Sequence, residues 1–148
     1  MNYISTRGGI KPVSFRESVM MGLARDGGLL LPESIPDARD RLAPWKKLSY
    51  QDLAIEVMKL YVDLPPADLE RLVRRSYASF GHPDITPVVS VGGVHVLELF
   101  HGPTLAFKDV GARFFAHILK LVREPGRPLT ILTATSGDTG AAVAQAFW

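Results

Sequence analysis

Between residues 94 and 148 the chain twice passes from an apolar stretch, through a polar loop containing glycine, into a helical pattern. Val94-His95-Val96-Leu97-Glu98-Leu99 reads as a strand and Phe100-His101-Gly102-Pro103-Thr104 as a loop. A helix follows over 109–123, with Val110, Phe114, Ile118, Leu121 and Val122 on one face, and Glu124-Pro125-Gly126-Arg127-Pro128 ends it. Leu129-Thr130-Ile131-Leu132-Thr133 is nearly continuous in apolar and β-branched residues, as a strand covered on both faces would be. Thr135-Ser136-Gly137-Asp138-Thr139-Gly140 is a tight polar loop, and residues 141–148 open another helix. This order predicts an α/β protein with a parallel βαβα sheet and right-handed crossovers. Both loops would then leave the carboxyl ends of their strands, on the edge where open α/β sheets bind ligands. The 100–109 segment and the 135–140 loop are expected to converge there, roughly 5–10 Å apart.

Residues 1–90 read differently, as a mainly helical region punctuated by Pro and Gly, so the expected division is 1–90 and 91–148. Ser14-Phe15-Arg16-Glu17 is a capping box opening a helix with Val19, Met20 and Leu23, which stops at Asp26-Gly27-Gly28. Leu29-Leu30-Leu31-Pro32 is a short extended piece. Ser49-Tyr50-Gln51-Asp52 starts a helix with Leu53, Val57 and Leu60 on one face. Pro65-Pro66 precedes a third, with Leu69, Leu72 and Val73 inward and Arg71, Arg74 and Arg75 toward water.

Composition removes several classes of function. At 148 residues and 47% hydrophobic, the chain can bury a core without disulfides. Seventeen Lys+Arg against fifteen Asp+Glu leave only +2, too little for a nucleic-acid-binding surface. The absence of cysteine excludes thiolate metal sites and thiol nucleophiles. No apolar run reaches membrane-spanning length, and the first residues lack the pattern of a secretory leader, so a cytoplasmic protein is expected. His82, His95 and His117 have no metal-ligand spacing and read as structural or exposed.

Lys108 is the first candidate for chemistry. At a helix start after Leu105-Ala106-Phe107, both the dipole and the apolar neighbours favour its neutral amine, as a Schiff-base lysine requires. A lysine at a helix start is also a common surface residue, and position alone leaves both readings open. Asp109 complements the dipole, with a second role in orienting Lys108 as an alternative. The 135–140 loop is the second candidate: its two glycines, hydroxyls and helix-start amides can hold an anion, though an ordinary capped strand-to-helix turn would look the same. His101 lies on the expected ligand edge, positioned for a polar contact.

These residues carry a resemblance. Phe100-His101-Gly102-Pro103-Thr104-Leu105-Ala106-Phe107-Lys108-Asp109 resembles the cofactor-lysine segment of threonine synthases almost letter for letter. Residues 129–142 are similar to the same family's next block, and Tyr3-Ile4-Ser5-Thr6-Arg7-Gly8 and Gly22-Leu23-Ala24-Arg25-Asp26-Gly27-Gly28-Leu29 to its opening segments. The resemblance implies the N-terminal portion of a fold-type-II enzyme dependent on pyridoxal 5'-phosphate, converting O-phospho-L-homoserine and water to L-threonine and phosphate. It implies Lys108 as the Schiff-base lysine and proton carrier, flanked by Phe107 and Asp109. Thr135, Ser136, Gly137, Thr139 and Gly140 would meet the substrate and Asp138 would approach the cofactor, while His101, by its place on the ligand edge, is expected to contact cofactor or substrate.

Members of that family are longer, so the resemblance further implies a truncated α/β domain, inactive alone, whose exposed sheet edge favours self-association. Phe147-Trp148, ending mid-helix, fits the same expectation. Two alternatives accompany it: a threonine-synthase-like lyase that releases a keto acid, and a non-catalytic module.

Overall fold

The computed structural model describes residues 1–126 and 128–148, so Arg127 of the expected helix stop lies outside the described residues. The chain gathers into two compact units, one of residues 1–48 and 52–70, the other of 49–51 and 71–148.

The first unit contains a small sheet that sequence reasoning missed. Strand β1 (Asn2–Ser5) lies between β2 (Val13–Ser14) and β3 (Leu30–Pro32), antiparallel to both, with Tyr3 opposite Val13 on one side and Pro32 on the other. These strands of two to four residues are too short for an alternation to show. Helix α1 (Phe15–Met21) starts from the expected capping box: Ser14 Oγ accepts the Glu17 N–H at 3.2 Å, and Ser14 N–H donates to Glu17 Oε2 at 2.8 Å. It ends at Gly22 (φ +68°), short of the expected stop at Asp26, because a glycine takes that left-handed turn at little cost. Asp26 instead ties the unit together: its carboxylate accepts from Ser5 Oγ at 2.7 Å and from the amides of Gly9 and Gly28 at 2.7 and 2.9 Å. A short 3₁₀ turn (Arg39–Arg41) leads into α2 (Leu42–Trp45).

Helices α3 (Tyr50–Met58) and α4 (Pro66–Tyr77) follow where expected. In α3 the buried position is Ile55; Leu53 and Leu60 are half-buried and Val57 is exposed, so the inward face is rotated from the expected one. In α4, Leu69, Leu72 and Val73 are buried while Arg71, Arg74 and Arg75 face water, as the pattern indicated.

The second unit is α/β in class, but its strands pair differently from the expectation. Strand β5 (Val94–Leu97) forms an antiparallel hairpin with β4 (Val88–Val91), turning through Gly92 and Gly93 at φ +55° and +82°. Two positive φ angles are the hallmark of the tight hairpin turn whose twist matches its strands. Residues 129–133 have no ladder partner among the described residues and are exposed throughout. The expected parallel pairing of 94–99 with 129–133 is therefore absent. A two-residue hairpin closes almost without loop entropy, whereas a parallel pair needs distant segments to meet.

Helix α5 (Lys108–Val122) packs against α6 (Asp138–Phe147). Ala116, Ile118, Leu119 and Val122 are buried on α5, and Ala142 and Ala146 on α6. Of the expected α5 face, Ile118 and Val122 are inside, Val110 and Phe114 are half-buried, and Leu121 is exposed. The two alanines let the helices approach closely, which makes Ala116 and Leu119 the inward residues instead. Helix α6 starts at Asp138, three residues before the expected position, and absorbs the last half of the polar loop.

Candidate functional site

Lys108 is the first residue of α5. Its amine rests on the face of the adjacent ring, with Nζ 3.5 Å from the Phe107 centroid, a cation–π contact. Both residues line a cavity of about 550 Å³ between α5 and α6, with Leu99, Gly111, Phe115, Thr139 and Val143 among its other walls. Lys108 and Thr139 are its polar side chains. A mostly apolar cleft of this size with few, converging polar groups has the character of a small-molecule site. The loop after β5 and the start of α6 thus meet at one cavity as expected, but through helix packing rather than a parallel sheet.

Asp109 does not reach that cavity. It is fully buried, with its carboxylate turned back onto the preceding loop: Oδ2 accepts the Thr104 N–H and Oδ1 the Thr104 hydroxyl, both at 2.8 Å. Gly102 lies so close that a Cβ there would stand 2.5 Å from Asp109 Cβ and Oδ2. The spacing Gly102-Pro103-Thr104 before Asp109 is the one sequence signal that could have found this arrangement, because only glycine and a short hydroxyl residue fit against a buried carboxylate.

His101 also stands apart from the cavity. Its Nε2 is 2.7 Å from Glu98 Oε2, and its ring lies 4.7 and 5.0 Å from those of Phe100 and His82. Its backbone carbonyl accepts the Gly81 N–H at 2.8 Å. His101 is thus in contact with Glu98, Phe100 and His82. His95 contacts Ser90 Oγ across the hairpin at 2.9 Å, and His117 Nδ1 is 2.8 Å from the Arg113 carbonyl oxygen.

In the second loop, Thr139 faces the cavity, while Thr135, Ser136, Gly137, Asp138 and Gly140 are not among its walls. Thr135 Oγ1 accepts the Gly137 N–H at 3.2 Å, and a Cβ on Gly140 would come within 2.6 Å of Thr135 Cγ2. Gly137 takes φ +150° and Ser136 is exposed, so the loop presents its backbone at the start of α6. Leu99, Phe115 and Val143 were not singled out by sequence reasoning, since apolar residues on a helix face look the same whether they line a cavity or a core.

Comparisons with known proteins converge. The family model described as threonine synthase N terminus matches residues 2–77. The threonine synthase of Schizosaccharomyces pombe is 45% identical, over 96% of this chain and 30% of that protein. A protein of Xenopus laevis named threonine synthase-like 2 is 40% identical, over 98% of this chain and 32% of its own length. The crystal structure of threonine synthase from Brucella melitensis with bound pyridoxal phosphate superposes with a TM-score of 0.93 at 42% identity, covering 99% of this chain and 33% of that one. The chain spans about a third of the length of the relatives it matches.

Proposed function

This chain belongs to the threonine synthase family, and on that premise we propose that it contributes the lysine-bearing part of an enzyme converting O-phospho-L-homoserine and water to L-threonine and phosphate with pyridoxal 5'-phosphate. The observation that carries the reading is the Lys108 amine standing in an apolar, aromatic-walled cavity of about 550 Å³. These residues fit the cofactor: a primary amine for its aldehyde, and rings of Phe107 and Phe115 beside a space able to take a flat heterocycle. When bound, the cofactor supplies an electron sink.

Lys108 would hold the cofactor through Nζ, and the same amine is the group at the cavity able to carry protons to and from substrate carbons. Thr139 offers a hydroxyl at the same cavity. The start of α6, with Ser136 and the exposed Gly137 backbone, holds the substrate carboxylate, for which a helix N-terminus is suited. In this reading Asp138 approaches the cofactor from the first turn of α6. The region from residue 91 onward is the cofactor domain, with 1–90 as its N-terminal companion. A cytoplasmic setting and self-association through the exposed edges near 88–97 and 129–133 belong to the same proposal. Among the described residues no helix is long and apolar enough to cross a membrane.

The test is chemical. Incubation with pyridoxal phosphate, borohydride reduction and peptide mapping should place the label on Lys108, ahead of Lys11, Lys46, Lys47, Lys59 and Lys120. A label distributed among those five would defeat the assignment. The similarity to threonine synthase-like 2 supports one second reading, a lyase releasing 2-oxobutanoate, which product analysis separates from threonine formation.

A further inference from the structure

The segment leading into α5 holds a conformation that needs explaining. The Gly102 carbonyl accepts the Leu105 N–H at 3.0 Å, and Leu105 takes φ +58°, in the left-handed region that L-residues avoid. Burial does not favour it, because Leu105 is 74% exposed. A buried carboxylate is costly unless hydrogen-bonded, and that of Asp109 commits both oxygens to Thr104. The absence of a side chain at Gly102 is what lets Asp109 sit there. The two hydrogen bonds join residue 104 to residue 109 and so fix the first turn of α5. Consecutive helix residues point about 100° apart. With Asp109 locked inward, Lys108 is turned away from the interior, and its amine lies on the Phe107 ring at the cavity wall.

We propose that Asp109 is a positioning residue for Lys108: through Thr104 it latches the start of α5 so that the Lys108 amine is held at the cavity, docked on Phe107. Its consequence for catalysis rests on the reading of Lys108 as the cofactor lysine; the docking itself does not. Asp109 is not among the cavity walls, and acts through the backbone it shares with Lys108.

The docking has its own spectroscopic signature. Protons above an aromatic face are shielded, so the ε-methylene protons of Lys108 should resonate upfield of those of the other five lysines in the 148-residue chain. Phe107→Leu should abolish that shift and thereby assign it. Asp109→Asn and Thr104→Val should move the signal most of the way to the common lysine position, and Thr104→Ser, which keeps the hydroxyl, should restore it. In the second arm, borohydride-trapped pyridoxal phosphate on Lys108, normalised to Lys120, should fall about fivefold in Thr104→Val, the weight of one lost hydrogen bond, and recover in Thr104→Ser.

An unchanged Lys108 shift in the folded Asp109→Asn and Thr104→Val chains would overturn the proposal, as would failure of Thr104→Ser to restore it. If Asp109→Asn does not fold, the Thr104→Val and Thr104→Ser pair decides alone. If the shift responds as expected but the wild-type label is spread over all lysines, the cofactor reading fails and the latch stands.

Discussion

Gly102 has no space for even one more carbon atom. An alanine there would press on Asp109 Cβ and Oδ2 at 2.5 Å, and neither the helix backbone nor the doubly bonded carboxylate can easily yield. Gly102→Ala is therefore expected to destabilise the chain by about 1–3 kcal/mol, the usual cost of overpacking, measured by denaturant unfolding. Charge at single residues also sets a pH dependence. The Ser5 hydroxyl, then the Gly28 and Gly9 amides, hold the Asp26 carboxyl below its ordinary value of 3.8. A carboxyl lowered in the folded state contributes stability above its unfolded value and loses it as pH falls through the folded one. Burial, with Arg75, Arg113 and Lys120 nearby, lowers His117 below 6.5, a shift its bond to the Arg113 carbonyl partly opposes. The unfolded chain then takes up the His117 proton first, so stability declines as pH falls below 6.5. Unfolding at a series of pH values should show His117→Gln flattening the upper part of the acid slope and Asp26→Asn the part below pH 4.

Among the elements, the start of α1 and the whole of α4 were readable because their determinants are local, whereas the end of α1 at Gly22 was not. The Ser14–Glu17 box needs only four consecutive residues, and the α4 apolar stripe needs one face of one helix. Ser14→Ala should cost about 1 kcal/mol, the usual value of an N-cap. Val73→Ala, at a position with no exposure, should cost about 1–3 kcal/mol through lost burial and the cavity left behind. Both are read from chemical denaturation midpoints at constant m-value. The hairpin was legible too, since Val89-Ser90-Val91-Gly92-Gly93-Val94 carries the turn and the flanking apolar residues that mark one. Reading only its second arm as a strand led to the parallel pairing. The inward faces of α3 and α5 could not be read closely. Apolar residues cover more than one side of each helix, and only a partner selects among them; for α5 that partner is α6, with its alanines.

At the scale of the whole molecule, the described residues form two compact units with two antiparallel sheets, where the strand–helix order suggested a parallel sheet. Residues 129–133 carry the composition of a buried strand yet are exposed and unpaired among the described residues. Their amides should therefore exchange with solvent orders of magnitude faster than those of Ile118 and Leu119 in α5, where burial and helix bonds both protect. Hydrogen exchange with mass-spectrometric readout checks this, and protection of 129–133 equal to that of α5 would show that the segment is paired in solution.

The candidate site divides in the same way. The sequence by itself determined the chemistry at hand, a lysine at a helix start and a glycine–hydroxyl loop in a family-specific order, because side-chain chemistry and short-range capping depend only on neighbours along the chain. Only the tertiary structure decided that Phe107, Lys108 and Thr139 share one cavity while Asp109 and His101 turn away from it. The direction of a side chain and the partner of a strand depend on residues distant in sequence, which meet only once the chain has folded.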